Sequence, residues 1–387
     1  MKRIPSIDIA RGLVMVIMAL DHTRDMLHAN AIVQSPTDLA TTTPILFFTR
    51  WITHLCAPSF VFLSGVSAYI SLKNGKDLRT GRRFLLTRGI WLVILEFTFV
   101  NLGLFFDLRF RLFIFEVIAV IGTGFIFLSF LSRLSPRVLA IMGLVVIFGH
   151  ELIDRAPMPS NTTLQFFGSL LFGPGVFPLP AKRLFAVAYP VLPWLGIMLT
   201  GFAAGRLFER PVSDRRRIFR WIGWTALALF LLLRAANVYG DPSPWAAQRN
   251  FVYTVLSFLN VSKYPPSLLF SLCMLGILML VLSVMEGKEN AVTRTFSVYG
   301  QTPLIYFLAH LYIIHGFMLF LALVQGHPLS SLDFSPFQFG RPAKTWGVSL
   351  GYVYLVYVTV VALLYPLCRW YGRYKMLHRE KKWLRYL

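Results

Sequence analysis

Acidic residues are scarce in this chain: 17 Asp and Glu stand against 38 Lys and Arg, and only 14% of all residues are charged. Cysteine is rarer still. Cys56, Cys273 and Cys368 lie in or beside apolar runs, so neither a disulfide framework nor a thiolate metal site is expected. A Walker loop, a G-x-S-x-G elbow, a G-x-G-x-x-G fingerprint and a zinc signature are all missing, and no metal is expected. There is no internal repeat of the kind that marks inverted-repeat transporters.

Apolar residues fill the chain instead. They make up 56% of 387 residues, and mean hydropathy is +0.63. No soluble domain of this size hides that much apolar surface, so the solvent is a lipid bilayer. Ten stretches are long enough to cross roughly 30 Å of hydrocarbon as helices. They fall at approximately 8–28, 45–72, 84–106, 111–131, 137–153, 184–207, 219–238, 266–285, 302–324 and 346–368. The predicted fold class is therefore all-α, one polytopic transmembrane bundle over 1–387 with a basic tail at 369–387. The stretch "TTLQFFGSLLFGPGVFPLP" is apolar but interrupted by Gly and Pro, and reads as interfacial or re-entrant.

A net charge of +21 raises the question of nucleic acid. The basic residues, however, lie between apolar runs rather than on one patch, so no nucleic acid partner is expected. Most fall on one side, at the N-terminus (Lys2, Arg3, Arg11), 73–88, 132–137, 206–220, 286–294 and the tail. The positive-inside rule makes that side cytoplasmic and places both termini there. The tail's Trp and Tyr residues then sit at headgroup level, with its basic residues on anionic lipid. The longer loops 29–44, 154–183, 239–265 and 325–345 face outward. Lys2, Arg3 and "ANA" at 29–31 loosely fit a signal peptide, but five charged or titratable residues separate the apolar core from that cleavage site.

Those five residues are the main chemical feature. In "GLVMVIMALDHTRDMLH" (12–28), Asp21, Arg24, Asp25 and His28 fall at i, i+3, i+4 and i+7, on one helical face, and His22 lies three before Asp25. A charged group at a membrane-helix centre costs about 2.5–3.5 kcal/mol, so these groups must pair or line a water-filled cavity. Two readings stay open: an ion-pair cluster tethering the helix end, or a general base, His22, oriented by Asp25. The second span places Arg50 and His54 at a similar depth in "RWITHLCAPSFVFLSG", with Pro58 allowing a kink and Ser64 and Gly65 permitting close packing. Further intramembrane polar groups are Glu96, Asn101, Glu116, and His310 and His315 in "YGQTPLIYFLAHLYIIH", after Gln301 and Tyr306. Lys263 and Tyr264 lie at the mouth of the eighth span, where a Lys is placed to meet an anionic group if one binds there.

At these residues the sequence resembles a known family. "RIPSIDIARGLVMVIMALDHTRD" and "CAPSFVFLSG" are similar to the catalytic domain of heparan-α-glucosaminide N-acetyltransferase and its bacterial relatives. "YPVLPWLGIMLTGFAAGR", "NVSKYPPSLLF" and "YGQTPLIYFLAHLYIIH" look like later blocks of the bacterial branch. Arg11, ten residues and His22 also resemble the Arg-x10-His pattern of the acyltransferase-3 family, in which the His is the candidate catalytic group. The Trp-rich stretch that carries the catalytic His of the heparan enzyme has no counterpart here, and that enzyme has Asn where His22 stands.

The resemblance implies an integral protein of a bacterial cytoplasmic membrane that moves acetyl from cytosolic acetyl-CoA to an amine or hydroxyl of an extracytoplasmic sugar or glycan. On that reading His22, Asp25, Asp21, His54 and Arg24 are the catalytic candidates. Arg11, Arg50, Lys263, Tyr264 and His310 are the candidates for the donor. Arg11 and His22 lie about 16 Å apart on one helix, the reach of an extended pantetheine arm. Arg24, Arg50 or His54 would stabilise the oxyanion, and an acetyl-His variant is open. The competing classes are a proton-coupled carrier using the same charges as a relay and a structural membrane scaffold. A homo-oligomer is left open.

Overall fold

Fifteen α-helices and one small sheet organise the computed structural model, which describes residues 4–75, 77–153, 161–378 and 380–386. Lys2 and Arg3 of the basic N-terminus, 154–160 of an outer loop, and Arg379 and Leu387 of the tail lie outside the described residues. In chain order the helices begin α1 (Pro5–Leu27), α2 (Pro44–Thr53), α3 (Cys56–Lys73) and α4 (Leu78–Leu95); a π-helical turn, Glu96–Val100, then leads into α5 (Asn101–Phe105). Strand β1 (Leu112–Phe115) precedes α6 (Val117–Leu131), α7 (Pro136–Ile153) and α8 (Thr162–Leu171). Strands β2 (Gly175–Leu179) and β3 (Arg183–Val187) precede α9 (Val191–Ala204), α10 (Val212–Ala236), α11 (Phe251–Leu259) and α12 (Leu268–Met285). The chain closes with α13 (Ala291–Gly300), α14 (Pro303–Val324) and α15 (Leu350–Leu377).

Among the described residues, seven helical segments are long and apolar enough to cross a membrane: Pro44–Lys73, Leu78–Phe105, Val191–Glu209, Val212–Ala236, Leu268–Met285, Pro303–Val324 and Leu350–Leu377. The chain is an integral membrane protein. Every predicted span contains a helix, but several edges differ. The second span is broken at His54, because Pro58 has no N–H to continue the ladder back to that residue. The all-α expectation needs correction at two places where the fourth and sixth spans were to begin. There "LFIF" and "RLFAV" form strands that pair in parallel, Leu112 opposite Leu184 and Phe115 opposite Val187. Strand β2 completes the sheet antiparallel to β3. Short apolar runs carry no period that separates strand from helix, and these are rich in β-formers. The Gly- and Pro-interrupted stretch read as interfacial becomes α8 and β2. The last helix runs to Leu377, well into what was read as the tail.

The charged helix is the hub. Pro5 starts α1, Asp8 lies in its first turn and Arg24 in its last, charges placed to suit the helix dipole. Its neighbours are α2, α3, α12, α13, α14 and α15, so most of its circumference faces protein. Close approach to α13 depends on two glycines. A Cβ on Gly12 would sit 1.7 Å from the Phe296 carbonyl oxygen, and one on Gly300 1.8 Å from that of Asp8. Small residues at membrane-helix crossings let backbones touch in this way. At the other end of α1, the loop after α14 clamps the helix. Arg341 donates to the carbonyls of Asp25 (2.6 Å) and His28 (3.1 Å), and Val348 N–H to that of Leu27 (2.8 Å). Carbonyls at the end of the helix are thereby satisfied by protein donors.

Candidate active site

Helical spacing puts Arg11, Met15, Met18 and His22 along one face of α1. A cavity of about 270 Å³ follows the first part of that face. Arg11, Arg88 and Lys375 line it from three different helices, along with Ser64, Ser67 and Ser71 of α3 and Gln301. Its apolar wall includes Met15, Leu92, Ile118 and Leu304, and Phe307 also lines it. Arg11 is held in place by Ser67 Oγ (2.9 Å), the Gly300 carbonyl (3.2 Å) and Asp8 (3.4 Å). Arg88 stacks 5.9 Å from the ring centres of Phe84 and Phe125. Lys375 reaches the cavity because α15 continues beyond the predicted span.

Phe307 stands between this cavity and the histidines. Its ring centre is 6.4 Å from that of His22 and 5.5 Å from that of His310, edge-on to both. His310 is fully buried. Its Nδ1 lies 3.1 Å from the Tyr306 carbonyl oxygen and its Nε2 lies 2.9 Å from His22 Nδ1. A carbonyl only accepts, so His310 Nδ1 carries a proton. In a neutral His310 ring Nε2 then accepts, which requires His22 Nδ1 to donate. The lone pair of His22 is thereby left on Nε2. The chain of bonds ends at a backbone carbonyl, which passes no proton onward.

Beside the histidines lies a buried charge cluster. Arg50 Nη1 donates to both oxygens of Asp21, 2.6 Å to Oδ1, and Arg24 Nη2 donates to the same Oδ1 at 2.9 Å. Arg24 also grips Asp25. Arg50 Nη2 reaches the Tyr264 hydroxyl at 3.5 Å. The Lys263 ammonium, itself buried, lies 4.9 Å from the centre of the Tyr264 ring and 5.7 Å from that of Tyr189. Two long-range pins fix the loop that carries Lys263 and Tyr264. Asp241 accepts from Ser262 N–H (2.8 Å) and Ser267 Oγ (2.7 Å), and buried Arg234 donates to the carbonyls of Ser257, Phe258 and Asn260.

Of the sequence-selected groups, Asp21, Arg24, Asp25, Arg50 and Tyr264 are thus brought into one bonded network, and His22 with His310 into another. His54 caps α2 beside Phe270, buried, its Nδ1 without a hydrogen-bond partner among the described residues, within electrostatic reach of Arg50, Lys263 and Asp21. The hydrogen-bond partner of His22 is His310 rather than Asp25, whose carboxylate is taken by Arg24. Arg11 lines the cavity; Arg50, Lys263, Tyr264 and His310 gather around Asp21 and His22 instead. Glu96 caps α6, accepting from Ala119 N–H at 2.7 Å, and Asn101 bonds both Leu112 and Ile114. His315 stacks on Phe106 at 3.9 Å. Reading the sequence alone missed Arg88, Lys375 and Phe307: the first two look like ordinary positive-inside charges, and nothing marks one Phe among 35.

A family model for the catalytic domain of heparan-alpha-glucosaminide N-acetyltransferase matches residues 3–236. The chain belongs to that family. Membership makes it one of a group of membrane acetyltransferases, and the match contains α1 to α10, with His22, Arg50 and His54. His310 and Lys375 lie beyond it. No curated protein matches the chain as a relative.

Proposed function

We propose that the protein moves an acetyl group from acetyl-CoA, bound from the cytoplasmic side, to an amine or hydroxyl of a sugar presented from the other side. The observation that carries this reading is one helix face with a basic, hydroxyl-lined cavity at one end and an oriented histidine at the other. The side chains suit the donor: two guanidiniums and an ammonium for phosphates, Ser64, Ser67, Ser71 and Gln301 for the amides of the arm, and apolar walls for its methylenes. When bound, the donor supplies an acetyl thioester.

The chain's own groups do the rest. His22 Nε2 takes the proton of the attacking amine or hydroxyl, and His310 holds the ring so that this nitrogen, not Nδ1, is the base. The proton then sits where a departing sulfur needs it. Arg50 and Arg24 are neutralised in part by Asp21, so their remaining donors face developing negative charge without an excess of cation. Lys263 and Tyr264 stand on the side from which the acceptor arrives. Phe307, which lines the donor cavity and lies edge-on to His22 and His310, shields the thioester from water. The His22–His310 chain ends on the Tyr306 carbonyl and passes no proton beyond it, which favours a base over a relay at this pair.

The test is acetyl-CoA turnover by detergent-purified protein against a panel of amino sugars and glycans, followed as free thiol. Acceptor-dependent thiol release that His22→Ala abolishes supports the reading. Release unaffected by that substitution removes His22 from the chemistry.

A further inference from the structure

A second polar-apolar pairing lies on a different part of the bundle. Between α7, α9, α10 and α12 runs a groove of about 420 Å³ with an almost wholly apolar lining, among it Leu144, Phe148, Leu207, Ile222 and Leu275. One end of the groove adjoins a polar recess formed by Arg137, Arg206, Glu209 and Arg210; Ala203 and Leu207 line both. The register on α7 explains the continuity. Arg137, Ala140, Leu144 and Phe148 share one face, so the arginine caps a strip about 16 Å long. The single acidic residue of the recess is directed elsewhere: the Glu209 carboxylate accepts from the Tyr69 hydroxyl and faces Lys73 at 3.7 Å. None of the three arginines is in an ion pair among the described residues. The first turns of α10 mark the depth. Arg217 and Arg220 adjoin Trp221 and Trp224, which are 66% and 60% exposed, the composition of a headgroup-level belt.

We infer that this groove is a specific site for one anionic phospholipid, its phosphate on Arg137, Arg206 and Arg210 and an acyl chain along α7 and α9. Charge decides the occupant. Three guanidiniums beside one carboxylate that Tyr69 and Lys73 already engage leave the recess net positive, which disfavours a zwitterionic headgroup and favours net negative charge, and a chain-length apolar trough disfavours a free phosphate. The site is separate from the donor cavity, with which it shares no lining residue. The inference stands whether or not the proposed acetyl transfer does.

The experiment uses full-length protein in nanodiscs of phosphatidylcholine containing a small fraction of phosphatidylglycerol, extracted gently and read by native mass spectrometry. Wild type is expected to retain one phosphatidylglycerol far above its share of the bilayer. The triple variant Arg137→Gln, Arg206→Gln, Arg210→Gln should lose that preference by on the order of a hundredfold, since each basic residue near a surface is worth roughly fivefold. Ala203→Leu, which narrows the trough and leaves every arginine, should lower retention as well. Unchanged size-exclusion profiles show that the variants fold. Should a variant fail to fold, competition on wild type decides: excess phosphatidylglycerol must displace the bound lipid, and inorganic phosphate must not. Equal retention of phosphatidylcholine by wild type, full retention by the folded triple variant, or displacement by inorganic phosphate overturns the site.

Discussion

His22 and His310 meet nitrogen to nitrogen at 2.9 Å across 288 residues of chain. Because the far nitrogen of His310 is tied to the Tyr306 carbonyl, the pair fixes which His22 nitrogen keeps its lone pair. Replacing His310 by Ala is expected to lower kcat at least tenfold with little change in KM for acetyl-CoA, since the base remains but its tautomer and orientation are lost. His310→Gln, which can still accept from His22, should recover part of the rate. A 15N spectrum of the His22 ring checks the assignment directly: protonated Nδ1 in wild type, a mixed tautomer in His310→Ala.

Asp21 carries the electrostatic balance. It is 8% exposed and answers both Arg24 and Arg50. Asp21→Asn leaves two guanidiniums in a dry site with one anion fewer. Breaking a buried ion pair from one side costs roughly 3–5 kcal/mol. Thermal unfolding in detergent should show a clear fall in Tm for Asp21→Asn, whereas Asp25→Asn, whose side chain is 43% exposed, should shift it far less.

The donor cavity makes a kinetic prediction. Arg88→Gln and Lys375→Gln should each raise KM for acetyl-CoA by about tenfold, the worth of one hydrogen bond to a charged group, and leave kcat nearly intact. High salt should weaken the wild-type KM in the same direction and matter less in the variants. Progress curves at two ionic strengths read both effects.

Phe307 is expected to act as a partition. Phe307→Ala should raise the ratio of acceptor-independent hydrolysis to transfer, because water gains the path the ring now fills. The measurement is thiol release with and without acceptor, and a ratio no different from wild type would leave the ring a packing group alone.

How much of this was readable in advance follows the range of the interactions. The polar face of the first helix announced itself, since i, i+3, i+4 spacing is a local property, and Arg50 lay close enough in sequence to be placed beside it. The scarcity of charge and the apolar runs gave the helical membrane architecture. The partnership of His22 with His310 joins distant segments, and no spacing rule reaches so far. Lys375 was hidden for another reason: a basic residue after an apolar run reads as a headgroup contact, and only a helix continuing to Leu377 turns it to the cavity. The strands at Leu112–Phe115 and Arg183–Val187 look like helix starts in sequence because pairing, not periodicity, makes them strands.

On the proposed function, the first helix links a donor cavity at Arg11 to a base at His22. The most direct test of that link is single-turnover acetyl transfer by purified His22→Ala, run beside stabilisation of the same protein by CoA. CoA should still raise Tm as in wild type while transfer falls to background. Transfer at the wild-type rate, with CoA stabilisation intact, would contradict it.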